Sequence, residues 1–509
     1  MNWSLGIFPF TTNLVGFLEE RELLFPPPRV TPYSQLAFVA AHVSALEARS
    51  IAIESEYIDR DFMEDFSIFY SRNLVVYPNY CTRLHFFRTS VEETERELLS
   101  IGGGAFDDKR EYLRECRRFS HQSYLGFSVI KPLDGTPVGR TVLRNESDRN
   151  GDLLCEFAST RLYHAHFAGV DLTVRGLPFQ QQDVGVSACA TTALWSSLNK
   201  ARDLEDIGPS TPAQITSLAS QHTLPFGRSM PSEGLSVDQM CQAVRAIGLA
   251  PHLLQLNEVT EPAFIVYSAL KSGFAPVIIM EKKGDLELGH AITGIGYELG
   301  PVATPNIVAP GSWLKSQTMR RIFVHDDRLG PSLSAQLTVE SDEDTDKLQL
   351  VLNLDRMANE SWVITHLLLP LHAKIRISLV DLHTIMAELL RELATDREGR
   401  GLLDTPVAAD AWITKGVDYF EQLRFGEEQI GDPAFVQRYG SARTYSRYVG
   451  VIRFAADDFG TVDILVDTTS TLRNLSFLSV AAVGQMQQNT TATLALLARF
   501  VGEEPLYRE

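Results

Sequence analysis

The sequence predicts an α+β protein built from more than one domain. Three observations carry that expectation. At 509 residues the chain exceeds what a single hydrophobic core supports, because domains usually run to roughly 100–200 residues. Apolar residues make up 44% and charged residues 22%, the balance of a globular chain rather than a disordered or fibrous one. Helical and strand-like apolar spacings also alternate along the whole length, without an internal repeat.

The first unit, residues 1–160, mixes both periodicities. "YSQLAFVAAHVSALEARS" (Tyr33–Ser50) reads as an amphipathic helix. "SIAIESEYIDRDFMEDFSIFYSR" opens as a short strand and passes into a helical pattern. Cys81–Arg88 reads as a strand, Val91–Ser100 as a helix and Ile101–Phe106 as a break. The triple glycine in that break is not a phosphate-binding loop, since no Gly-Lys-[Ser/Thr] follows it. "SYLGFSVIKPLDGTPVGRTVL" holds two strand runs about a Pro- and Gly-bearing turn.

The second unit, 165–335, opens on "QQQDVGVSACATTALWSSL" (Gln180–Leu198). A Ser/Thr/Pro-rich connection, the helix "SVDQMCQAVRAIG" and the strands "APVIIMEKK", "GHAITGIGYEL" and "RRIFVHDD" follow. Such an order suits a helix packed on an antiparallel sheet. The acidic run Val339–Leu348 reads as a linker or a solvated turn. The third unit, 345–509, has strands, a long helix in "LVDLHTIMAELLRELA", further strands and a terminal helix. It is again α+β and carries no motif with recognisable chemistry.

A formal charge of −18 argues against a general nucleic-acid binder, which needs clustered Lys and Arg. The N-terminal stretch is apolar but lacks a basic leader and a small-residue cleavage site, so no signal peptide is expected. No apolar run reaches the roughly 18–20 residues of a membrane helix. The five cysteines (Cys81, Cys116, Cys155, Cys189, Cys241) are scattered, odd in number and never in C-x-x-C spacing. Free thiols in a cytoplasmic setting are therefore expected, without a disulfide frame or zinc site.

Cys189 stands out by context. Ser187 is placed to cap a helix that runs on through Thr191, Thr192, Ala193, Leu194, Trp195 and Leu198. A thiol in the first turn meets outward-pointing N–H groups and a dipole that favours an anion, and the thiolate is the reactive form. Small neighbours, Ala188 and Ala190, leave room for a substrate backbone. A base must come from elsewhere. His290, flanked by Gly289, Gly294 and Gly296, opens a strand. Asp326 ends another and would accept the second ring N–H of the imidazole. Asp327 is its rival, and strand alternation should separate the two.

The pieces "QQQDVGVSACATTALW", "GLSVDQMCQAVRAIGLAPHLL", "GHAITGIGY" and "VHDDRLGP" come in an order that resembles the papain-like cysteine peptidases. The bacterial branch similar to the double-glycine leader peptidases of bacteriocin exporters is the nearest likeness. It covers 165–335 only. It implies a papain-like core between two α+β flanking domains, with Cys189 as nucleophile, His290 as general base and acid, and Asp326 as the orienting residue. It also implies a glutamine that donates to the oxyanion beside the Cys189 N–H. In the family that glutamine stands six residues before the cysteine, where this chain has Asp183; Gln182 is one residue early, and Gln181 is the alternative. A further departure is Ala190, where the family commonly has glycine.

The resulting expectation is a thiol peptidase that hydrolyses a peptide or isopeptide bond in a selected protein or peptide substrate. It needs no metal or organic cofactor and binds neither nucleic acid nor membrane. The same residues also suit acyl transfer to an amine, or an inactive papain-like scaffold. The oligomeric state is not legible. Other candidates are weaker. His164 and His166 share a strand face but lack further ligands at zinc spacing. Cys241 lies within an amphipathic helix and reads as core. His325 should point away from His290. "VESDEDTD" lacks the spacing and central glycine of a calcium loop.

Overall fold

The computed structural model describes residues 6–24, 34–150, 152–183, 189–205, 207–208, 210–221, 234–302, 304–307, 311–341, 348–354, 360–395, 405–425, 446–472, 475–484 and 487–502. The fold is mixed α+β, as the interleaved periodicities predict. The first unit is a five-stranded antiparallel sheet in sequential order: β1 (Ile7–Pro9), β2 (Ser50–Tyr57), β3 (Cys81–Phe87), β4 (Tyr124–Ile130) and β5 (Val138–Leu143). Alternation sends Ile51, Leu84, Phe86 and Leu125 to one face, against α1 (Leu14–Glu19) and α2 (Ser34–Ala45). Ala52, Phe87 and Phe127 face the other way, into a core shared with α3 (Arg60–Ile68), α4 (Val91–Gly102) and α5 (Lys109–Ser123). Side chains of period two therefore produce three layers.

Local signals fix the helices. Ser90 and Glu93 form a reciprocal capping box at the start of α4, and the helix extends into the expected break as far as Gly102. Asp108 caps α5 by accepting from the Glu111 N–H. That helix is so rich in charge that its buried stripe of Cys116, Phe119 and Ser120 is easily overlooked in the sequence.

The second sheet crosses both expected boundaries. It begins with β6 (Asp148–Asn150) and β7 (Leu153–Glu156), which join its edge. The hairpin of β8 (Arg161–Phe167) and β9 (Val170–Gly176) stands apart. Then come α6 (Cys189–Glu205), α7 (Pro212–Ala219), α8 (Val237–Ala246), β10 (Ala250–Gln255), α9 (Pro262–Lys271), β11 (Val277–Lys282) and β12 (Asp285–Leu299). The short β13 (Ser312–Leu314) leaves for the third sheet, and β14 (Met319–Asp326), β15 (Gly330–Ser341), β16 (Leu348–Leu354) and β17 (Ser361–Leu371) complete the second.

Because β11 pairs with both β12 and β17, the path β12-β14-β15-β16-β17-β11 closes on itself. The result is a six-stranded antiparallel barrel, a ring without free edges. Strands expected in the first and third units are thus part of the second: β7 lies on β12, while β16 and β17 close the ring. Of the two readings of the acidic run, the turn suits the structure better than the linker, because its two ends, Ser341 and Leu348, pair across antiparallel β15 and β16. Helices α6, α7 and α8 cover the outside of the barrel, packing Ala193, Leu194, Ile215 and Val244 near Val277, Ala291 and Leu368.

The third unit pairs β13 in parallel with β18 (Val407–Lys415), followed by antiparallel β19 (Tyr448–Ala456), β20 (Gly460–Asp467) and β21 (Phe477–Val483). It carries α10 (Leu379–Thr395), α11 (Gly416–Phe425) and α12 (Thr490–Val501). One hydrophobic core runs from the barrel interior through α9 and α10 into this sheet. No helix among the described residues is long and apolar enough to cross a membrane.

Candidate active site

Cys189 is the first residue of α6 and is half-buried. Ser187 and Ala188, expected as the cap and a small neighbour, lie outside the described residues. The helix that follows is buried on nearly every side from Ala190 to Leu198, because the barrel and α7–α8 enclose it. Its placement on the barrel is fixed by a hydrogen bond: the Thr293 hydroxyl of β12 donates to the Ala193 carbonyl at 2.9 Å. All five cysteines are free thiols. Cys241 is buried in the core beneath α8, and burial pushes its thiol upward in pKa.

His290 projects from β12, opposite Met280 of β11. Its Nε2 lies 3.2 Å from Asp326 Oδ2 and 3.6 Å from Asp327 Oδ1. The ring also hydrogen-bonds the Cys189 thiol. With Nε2 turned to the carboxylates, Nδ1 is the nitrogen left for sulfur. Three elements distant in sequence therefore bring Cys189, His290 and Asp326 into one chain of contacts.

Asp326 closes β14 and is fully buried. Its Oδ1 accepts from the Arg328 N–H at 2.9 Å, and its carbonyl accepts from the Leu329 N–H at 3.1 Å. This tight turn clamps the carboxylate from its own backbone. Asp327 departs from the expected alternation. The β14–β15 register shifts between Val324 and Asp326, so regular pleating ends there and both carboxylates reach the imidazole. Asp327 is too far for a hydrogen bond, and neither of its buried oxygens has one.

The electrostatics follow from this packing. Burial alone would lower the pKa of His290, yet its hydrogen bonds to Asp326 and Cys189 and the two nearby carboxylates raise it to about 10. Burial works against ionised Asp326 too, but the His290 contact and the charge of Arg328 hold it down at about 2. Asp327 receives no such bond, and burial, with the neighbouring Asp326 charge, raises it to about 7. The contact therefore favours the imidazolium–carboxylate form of the pair. His325 points elsewhere, as alternation requires. Its Nε2 donates to the Leu177 carbonyl at 3.0 Å, its Nδ1 accepts from the Ser332 N–H at 3.0 Å, and burial lowers it to about 4.

Two residues of the site have no local sequence signal. Trp362, on β17, is fully buried with its ring centroid 5.7 Å from that of His290. The Arg328 guanidinium lies 5.0 Å above the same indole. Together they cover the His290–Asp326 contact. Only the closure of the barrel brings Trp362 there.

The glutamines fall on a short extended strap. Phe179 exchanges two 2.8 Å backbone bonds with Thr141 of β5. The Gln181 amide is occupied: its Oε1 accepts from the Val138 N–H and its Nε2 donates to the Gly135 carbonyl, at 3.3 and 3.1 Å. Gln182 is half-buried. Asp183 pairs with Lys131 at 3.2 Å. Gln180 faces a water-sized cavity of about 10 Å³, shared with Thr192, Ser196 and Asp327, where its Nε2 and the Thr192 hydroxyl have no protein partner.

The donor atoms of His290, Asp326 and Asp327 lie within 4.8 Å of one another, a density that could hold a cation. The direct His290–Asp326 bond and the Arg328 charge beside it already neutralise the carboxylate. His164 sits on an exposed face with its Nδ1 3.1 Å from Asp171, an ordinary surface pair. No protein-family model, curated protein or solved structure matches this chain.

Proposed function

We propose that the protein is a papain-like cysteine peptidase acting on a peptide or isopeptide bond of a protein or peptide substrate. The observation that carries this reading is the contact chain Cys189–His290–Asp326, assembled from a helix start and two strands, half-open at sulfur and closed at the carboxylate. A polar chain of this kind is costly to bury for structure alone. A closed barrel bearing the His and Asp, with the Cys helix packed outside it, supports the same reading.

In this mechanism His290 holds the thiol proton on Nδ1, and sulfur attacks the substrate carbonyl carbon. The C=O pair moves onto oxygen, which in this reading the Cys189 N–H and Gln182 stabilise. As the tetrahedral species collapses, the C–N bond breaks and His290 passes its proton to the leaving amine. A water molecule then gives a proton to His290 and adds to the thioester, releasing the acid and the thiol. Asp326 keeps the ring oriented and stabilises its charge throughout.

Alkylation by iodoacetamide near pH 6 tests the reading. Cys189 should react at least tenfold faster than Cys241, roughly the gap between a His-paired and a buried structural thiol. Cys189→Ala should abolish turnover and retain bound substrate for mass spectrometry, and products formed with an added amine separate hydrolysis from transfer. Equal labelling rates for the two thiols, or full biological activity in folded Cys189→Ala, would overturn it.

A further inference from the structure

The strap of residues 177–183 leads to the thiol helix by sequence, but from Phe179 to Asp183 it is bonded to the first unit. Phe179 and Gln181 bond to Thr141, Val138 and Gly135, all in or beside β5. The deepest anchor is Lys131, at the end of β4. Its ammonium lies 3.2 Å from Asp183, and both side chains are nearly inaccessible, at 3% and 2% exposed. Tyr70 donates a further hydrogen bond to Asp183. On the other side, Ser196 of α6 donates to the Pro178 carbonyl at 2.7 Å.

Alternation along the strap gives the arrangement a purpose. Gln181 and Asp183 are held by the first unit, so the intervening Gln182 turns the opposite way. Gln180, two residues earlier on that same face, lines the cavity bounded by Thr192 of α6 and Asp327. The ion pair therefore fixes the strap at the residue that follows Gln182. A buried pair of this sort is a poor source of stability, because desolvation offsets most of the attraction. Its strength is in fixing geometry.

We propose that Lys131 of the first unit is a positioning residue for the thiol chemistry: through Asp183 it locks the strap that presents Gln182 to the oxyanion formed at Cys189. The proposal rests on the peptidase reading above. It makes the first unit part of the catalytic apparatus, with the residue that orders the oxyanion donor lying outside the barrel and the Cys helix.

Two reagents separate this role from a structural one. Iodoacetamide alkylates the thiolate by direct displacement of iodide, with no oxyanion. p-Nitrophenyl acetate acylates it through a tetrahedral oxyanion: an S–C bond forms, the ester C–O bond breaks, and p-nitrophenolate leaves. In full-length Lys131→Met, and in Lys131→Met/Asp183→Leu, which removes both members of the pair, acylation should fall about 10²-fold, as for loss of one oxyanion donor. Alkylation of Cys189 should stay within about twofold by the same reasoning. Gln182→Ala should show the same split, and Lys131→Arg should recover most of the acylation. Unchanged acylation in the folded double variant overturns the proposal, as does a parallel fall in both rates, which marks Lys131 as structural only. Wild-type Cys189 that is inert to both reagents sinks the peptidase reading itself, and this proposal with it.

Discussion

Trp362 lays its indole against the imidazole of His290, with ring centroids 5.7 Å apart and planes tilted by 51°. The two residues sit on different strands of the barrel, β17 and β12, with β11 between them. The indole keeps water from the His290–Asp326 bond, where a low dielectric strengthens the attraction. Trp362→Phe should preserve the fold and lower p-nitrophenyl acetate acylation. Trp362→Ala should destabilise the protein by about 3–5 kcal/mol, as for other buried aromatic truncations. Urea unfolding and initial rates check both.

Asp326→Asn should leave the thiol present but the imidazole poorly held. The dominant attractive contacts of His290 would be lost, so its pKa falls from about 10 toward the ordinary value. An NMR titration of the His290 ring protons reads that shift directly. Turnover should drop by roughly 10²–10⁴-fold, the usual contribution of positioned acid–base chemistry.

Asp327→Asn should act in the opposite sense, on stability. The folded pKa of Asp327 is about 7, above the 3.8 of an ordinary aspartate. Below about pH 4 both folded and unfolded chains hold the proton, so the side chain has no effect. Between about 4 and 7 the unfolded chain releases it first and stability falls; above 7 the loss is complete. The variant should therefore gain in urea midpoint over wild type at pH 8 and match it near pH 4. Equal midpoints at pH 8 would contradict the burial argument.

His290 makes the complementary contribution. Its folded pKa is raised to about 10 from 6.5. The stability it supplies is fully present below about pH 6.5 and is lost as pH rises through 10. The difference in unfolding free energy between wild type and His290→Gln should therefore narrow across that window. Paired denaturation curves at pH 6 and pH 10 measure it.

Two glycines of β12 should respond unequally. A Cβ on Gly296 would stand 2.4 Å from the Glu156 carbonyl and 2.6 Å from the Phe157 ring, whereas one on Gly289 meets nothing within 4 Å. Gly296→Ala should push β7 off β12 at a cost of about 1–3 kcal/mol. Gly289→Ala should stay within about 0.5 kcal/mol of wild type, as surface changes do. Thermal melts distinguish them.

Much of the candidate site was legible because its chemistry lies in short local patterns. A helix onset at Cys189, the Gly-His opening of a strand and an Asp at a strand tip each speak through neighbouring residues. What failed to show depends on long-range pairing. Alternation was the wrong guide for Asp327 because the β14 register shifts at that point, and no local residue announces the shift. Trp362 was invisible for a related reason: β17 reads like any apolar strand until β11 pairs with it. The acidic stretch after Val339 suits a linker and a solvated turn equally in composition, and only the pairing of the strands on either side of it decides for the turn. The role proposed for Lys131 could not be read at all, since it stands 52 positions before Asp183.

Ring closure also sets the order in which the protein becomes itself during synthesis. Cys189, His290 and Asp326 all precede β17, but the ring and its indole cover require residues 361–371. A nascent chain halted near residue 335 would carry every reactive group of the site with two strand edges unpaired, a condition that favours aggregation. The reactivity proposed for sulfur should therefore arise late, once β17 has docked.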